Sequence, residues 1–213
     1  MTTVEVFADI SCPFAHVGLK RVIAHLDGTF TARSTAPDVI VRAWPLEWVN
    51  DAPMQADAVL TKAHALDEQL GTRHFSGLRA DRWPTTTLPA LALVAAAYER
   101  DAATGLAVSL DLRSALFEHG LDVSDADVLT DLARRHDLTP PLDLDHRAAQ
   151  ADYDEGRARG VQGSPHYFVG DQDFFCPTLD LGHDDDGHLT ASFDADGLSR
   201  FLASVVVASP DSV

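Results

Sequence analysis

The stretch Val4-Glu5-Val6-Phe7-Ala8-Asp9-Ile10-Ser11-Cys12-Pro13-Phe14-Ala15-His16-Val17-Gly18 decides the fold. Apolar residues alternate from Val4 to Ala8 as in a strand, and Ser11-Cys12-Pro13 then switches the period to that of a helix. Proline is tolerated in a first helical turn because its missing N–H would have had no partner there, so Pro13 sets Cys12 at the strand-to-helix junction. The thiol there faces unpaired backbone donors and the positive end of the helix dipole. Cysteines so placed titrate at roughly 3.5 to 7.5 instead of about 8.5, and a nucleophilic sulfur is the first expectation. Ala15, Leu19, Val22, Ile23 and Leu26 give the helix one apolar face, with Gly28 suited to closing it. His16 stands four residues after Cys12. It has two readings, an imidazole that supports the thiolate or a packing residue.

Working outward, Val39 to Trp44 reads as a second strand, stopped by Pro45, and a βαβ unit of this length predicts two parallel strands. From Met54 to Gly160 helical patterns dominate: Met54–Leu70, Leu88–Asp101 capped by one of Thr85, Thr86 or Thr87, Leu106–His119, Val128–His136 and Asp143–Arg159. Ser124-Asp125-Ala126-Asp127 resembles a capping box at the fourth of these. After Gly160 the strand period returns. Gly170-Asp171-Gln172-Asp173 is a turn into a returning strand, Phe174-Phe175-Cys176-Pro177. The acidic run from His183 to His188 lacks the alternating oxygens and closing glutamate of a calcium loop, so it reads as a solvated hairpin and no metal site is expected. Asp196 to Val207 supplies a last amphipathic helix.

Asp9, Cys12, Pro13, Phe14 and Gly18 resemble the active-site turn of the DsbA-like thioredoxin superfamily. The group includes DsbA-family oxidoreductases, kappa-class glutathione transferases and 2-hydroxychromene-2-carboxylate isomerases. Gly160-Val161-Gln162-Gly163-Ser164-Pro165 resembles the second half of the same motif. The resemblance implies an α/β thioredoxin fold with a large all-helical insertion between its halves. Its thioredoxin-like part would be residues 1–50 and 160–213, and its helical part 51–159. It also implies a cis bond before Pro165, which would turn the Ser164 backbone toward Cys12. The chain departs from the pattern where a second cysteine is usual, since Ala15 stands there and a C-x-x-C disulfide cannot form. In a thioredoxin strand order Cys176 would lie two strands from Cys12, roughly 10 Å away. A resting disulfide needs Cα atoms about 4.4–6.8 Å apart, so Cys176 is expected as a packing residue, with a resolving thiol as the other reading.

With 213 residues and 46% hydrophobic content the chain can bury a full core. Its 33 acidic and 16 basic residues leave a net charge of −17, which argues against nucleic acid and anionic membranes as partners. No signal-peptide pattern precedes the first strand and no run of about 18 apolar residues occurs, so a cytoplasmic protein with free cysteines is expected. No Gly-x-Ser-x-Gly, dinucleotide or Walker motif is present. Three functions remain open. The first is a thiol–disulfide oxidoreductase working through Cys12 alone, supported by Pro13, Phe14, His16, Ser164 and Pro165. It would act on a small thiol or disulfide, hold no tightly bound cofactor, and use glutathione or mycothiol as co-substrate. The second is a transferase or isomerase that uses the same small thiols, as in the kappa class. The third is a binding module that has lost its chemistry. The oligomeric state stays open, a homodimer included.

Overall fold

β1 (Thr3–Ala8) is apolar and buried along Val4, Val6 and Ala8 on one face, and on the other it buries Phe7 beside a half-buried Glu5 paired with Arg42 and Arg159. Val4, Val6 and Ala8 pack toward α1 (Pro13–Thr29), whereas Phe7 points to the opposite side against Trp44 and Phe168. A strand buried on two sides belongs inside a sheet with helices above and below it. The computed structural model describes residues 2–30, 36–139 and 146–208, and gives that arrangement. β2 (Asp38–Ala43) pairs parallel with β1, Thr3 opposite Asp38 and Ala8 opposite Ala43. The chain then forms α2 (Leu46–Val49), α3 (Ala56–Leu70), α4 (Leu88–Arg100), α5 (Ala102–Phe117), α6 (Ala126–Arg135) and α7 (Arg147–Ala158) before it returns to the sheet. β3 (His166–Val169) runs antiparallel to β1, and β4 (Gln172–Phe175) antiparallel to β3. The sheet order is β2-β1-β3-β4. β5 (Leu179–His183) and β6 (Leu189–Phe193) make a separate hairpin, and α8 (Ala195–Ala208) closes the described chain.

Register decides where function can sit. Phe7 lies opposite His166, and His166 opposite Phe175, so the end of β1, the start of β3 and the end of β4 share one edge of the sheet. Pro165 and Cys176 are the residues next to His166 and Phe175, and Cys12 follows the end of β1 after a short turn. α1 and α8 cover the face of Val4 and Val6, with the Tyr167 ring edge-on to Phe201 at 5.2 Å. On the Phe7 face α7 comes very close. A Cβ at Gly156 would lie 2.7 Å from the Trp44 ring, nearer than real contacts allow, so only glycine admits that approach. β2 is an edge strand, and its free backbone is occupied by side chains. Tyr98 Oη receives the Val41 amide at 2.8 Å and donates to the Val39 carbonyl at 3.0 Å, while Asp152 receives the Ala43 amide at 2.9 Å. Pairing with another chain is blocked there.

Several element ends differ from the periodic reading. α1 runs past Gly28 to Thr29, with the Phe30 amide bonded to Leu26, so Gly28 is an ordinary helical residue. α5 starts at Ala102 instead of near Leu106 because the Asp101 carboxylate accepts the Thr104 amide at 2.7 Å. The cap of α6 is Asp125 and not Ser124. α4 is preceded by Thr87, whose side chain makes no cap bond to its own helix. The start of the expected helix at 143–145 lies outside the described residues. β4 ends at Phe175, one residue before Cys176, whose φ of 45° takes it out of the strand. Among the described residues no helix is long and apolar enough to cross a membrane.

Candidate active site

Cys12 is the N-cap of α1, in an extended conformation, with Pro13 in the first turn and the His16 amide on its carbonyl at 3.1 Å. Its thiol donates to the Ser164 carbonyl at 3.0 Å. The Ser164–Pro165 peptide bond is cis. Ser164 is tied back to the first motif through its hydroxyl, which accepts the Asp9 amide at 3.0 Å. The Pro165 carbonyl in turn accepts the Cys176 amide at 3.0 Å. Two segments far apart in sequence are thereby locked around one sulfur. Gly18 lets α1 lie against this loop, since a Cβ there would sit 3.2 Å from Thr178 Oγ1 and 3.6 Å from Pro165 Cγ. Cys12 is nearly buried but lines one wall of a cleft of about 270 Å³. Phe14, Leu46, Met54, Lys62, Phe175 and Cys176 form much of the rest.

Burial reverses the expectation drawn from the helix end. The Ser164 side chain, the Ala15 amide and the charge of Arg113 all favour the thiolate, but desolvation outweighs them and pushes the Cys12 thiol above its ordinary value. The S–H bond to a carbonyl acts in the same direction, because only the protonated sulfur can donate. Burial also pushes Cys176 up to about 12, with the charge of Cys12 adding to it. Asp9, fully buried, is raised by desolvation against four donors, namely the amide and hydroxyl of Ser11, the Leu46 amide and the Thr87 hydroxyl.

The structure gathers Cys12, Pro13, Phe14, Ser164 and Cys176 on the cleft, with Pro165 beside them beneath Gly18. His16 goes elsewhere. Its Nε2 lies 3.2 Å from the His74 carbonyl and its ring packs against Phe117 and Phe75, at centroid distances of 4.9 and 5.6 Å. Desolvation pulls its pKa down to about 2, so it is neutral, with the proton on Nε2. A carboxylate oxygen of Glu118 lies 3.3 Å from the same nitrogen, and with a neutral ring the two do not form an ion pair. Among the described residues no hydrogen bond joins the His16 ring to the Cys12 thiol, which bond the His74 and Ser164 carbonyls instead. Arg113 escaped sequence reasoning. Nη1 donates to the Asp9 carbonyl at 2.6 Å from a fully buried side chain, and the available signal was a charge set among the apolar positions Val108, Leu112 and Leu116 of α5. His166, also overlooked, props the proline loop. Nδ1 accepts the Gln162 amide at 3.0 Å and Nε2 reaches Asp173 at 2.9 Å.

Comparison with known proteins places this geometry. The family model described as a DSBA-like thioredoxin domain matches residues 3–183. Similar solved structures include a probable DsbA oxidoreductase from Streptomyces coelicolor, 20% identical with a TM-score of 0.64 over all of this chain and 92% of that one. The cytosolic disulfide reductase DsbM from Pseudomonas aeruginosa is 15% identical with a TM-score of 0.58, covering 96% and 99% of the two chains. A 2-hydroxychromene-2-carboxylate isomerase is 16% identical with a TM-score of 0.58, covering 81% and 88%. No curated protein matches the chain. These structural likenesses speak for the fold alone, whereas the family match spans most of the sequence, and the chain belongs to the DSBA-like thioredoxin domain family.

Proposed function

We propose that the protein is a thiol–disulfide oxidoreductase that works through Cys12 and is turned over by a small external thiol. The observation that carries this reading is the position of the Cys12 sulfur, on a helix N-terminus, against the Ser164 backbone, and open to a cleft that a small disulfide can enter. Cys12 first loses its proton to water in the cleft. The thiolate attacks one sulfur of a mixed disulfide, forming a Cys12 mixed disulfide and expelling the other half as a thiolate. A small thiol, as its thiolate, then attacks the Cys12 adduct, restoring the Cys12 thiolate and leaving with the bound half as a new disulfide. Ala15 cannot take that second step. Glutathione and mycothiol are the candidates, and DsbM, a structural neighbour, has been solved with glutathione. Such an enzyme needs a reduced thiol pool, the condition of the cytoplasm.

A second reading has its own observation, since Cys176 lines the same cleft and could resolve the adduct internally. Its thiol, pushed up to about 12, is a poor nucleophile near neutral pH, which favours the external thiol. The test is intact mass after exposure of the reduced protein to glutathione disulfide. One glutathionyl group on the Cys12 peptide is expected. Loss of two hydrogens with no adduct would overturn the monothiol reading in favour of a Cys12–Cys176 disulfide.

A further inference from the structure

α5 carries a positive charge into the core directly behind the thiol. Arg113 has no exposed surface, and its Nη1 grips the Asp9 carbonyl, the oxygen that also accepts the Cys12 amide at 3.4 Å. Its Nε and Nη2 have no hydrogen-bond partner among the described residues. A guanidinium stays charged under all ordinary conditions, and a buried charge without an anion is costly. The acidic groups that act on it are the Cys12 sulfur, the stronger of the two once it is ionised, and Asp9, whose carboxyl four other donors already hold. The other titratable groups facing this site are His16 from α1, Tyr98 from α4, Tyr167 from β3 and Cys176 beyond β4, and burial keeps all four neutral.

We propose that Arg113 is a positioning residue for Cys12, clamping the Asp9–Cys12 turn through Nη1 and serving as the buried counter-charge of the thiolate formed during disulfide exchange. The exchange step belongs to the function proposed above, but the thiolate can be measured without turnover. The experiment is the rate of iodoacetamide alkylation of Cys12 against pH, in Cys176→Ser protein so that one thiol reports. Arg113→Gln keeps a donor for the Asp9 carbonyl and removes the charge, whereas Arg113→Lys keeps the charge.

At pH 7.5 we expect the Gln variant to react at least about tenfold more slowly, and its pH profile to move to higher pH. The Lys variant should stay within about threefold of the parent. A purely structural role would scale the profile down equally in both variants without moving it, and that result overturns the proposal. A folded Gln variant with an unchanged profile does the same. If the Gln variant does not fold, the Lys variant decides, since an unmoved profile with a rate within about threefold of the parent sustains the counter-charge, whereas a profile moved to higher pH, or one scaled down further without moving, refutes it. A parent whose Cys12 alkylates with this Arg113 dependence but does not turn over mixed disulfides would sink the proposed reaction and leave this inference standing.

Discussion

Cys12 and His16 share a helix and diverge in role because their surroundings differ. Cys12 opens on the cleft and is pushed toward the protonated form, so exchange should quicken as the thiol ionises. We expect kcat/KM for a small mixed disulfide to climb through neutral pH and to keep climbing beyond about pH 8.5, the ordinary thiol value. A plateau already reached at pH 7 would show a depressed thiol. His16 is neutral in the fold, with its pKa near 2 against an ordinary 6.5. Between those values the unfolded chain binds a proton that the native chain does not. The stability tied to this site is therefore complete above pH 6.5 and is lost as pH falls. At pH 5 the loss is about 2 kcal/mol. Urea midpoints measured from pH 7 to pH 5 should fall less in His16→Phe than in the parent, and parallel curves would contradict this. The position of Cys12 was legible because Pro13 and a change of period mark a helix start in any context. Its protonation was not, since the residues that bury it are distant in sequence, Ser164 by 152 positions, and no local pattern reveals them.

At the scale of elements, the edge of β2 is the feature least visible in the sequence. Val39 to Trp44 announces a strand, yet nothing in it says that a tyrosine 57 residues after Val41 will satisfy its backbone. Tyr98→Phe removes one hydroxyl and leaves the Val41 amide and Val39 carbonyl without partners. A loss of about 1–3 kcal/mol is expected in denaturant unfolding, and a loss within error would mean that water substitutes for the hydroxyl. The strands and most helices could be read because their apolar periods are strong. Caps were harder, as at α5, where Asp101 starts the helix four residues before the first periodic leucine. Cys176 fell between these cases. Strand order placed it on the active-site edge, but its positive φ and its bond to Pro165 depend on a turn whose geometry the sequence does not encode locally.

Over the whole molecule, two long-range locks assemble one sulfur's environment. β3 brings Ser164 and Pro165 beside the end of β1, and α5 brings Arg113 up from behind. The family pattern made the first lock legible, since Gly160 to Pro165 carries it. The second is a property of how the helices between β2 and β3 pack on the active-site turn, and only tertiary contact shows it. The net charge of −17 belongs to the whole molecule and argues against polyanions as partners. The central claim is that Cys12 alone carries the exchange and an external thiol completes it. The most direct test is the steady-state rate of glutathione-dependent reduction of a small mixed disulfide by Cys12→Ser and Cys176→Ser, beside the parent. Cys12→Ser should fall to the uncatalysed rate while Cys176→Ser keeps at least about half of the parent rate. Loss of turnover in Cys176→Ser, or its survival in Cys12→Ser, would contradict the account.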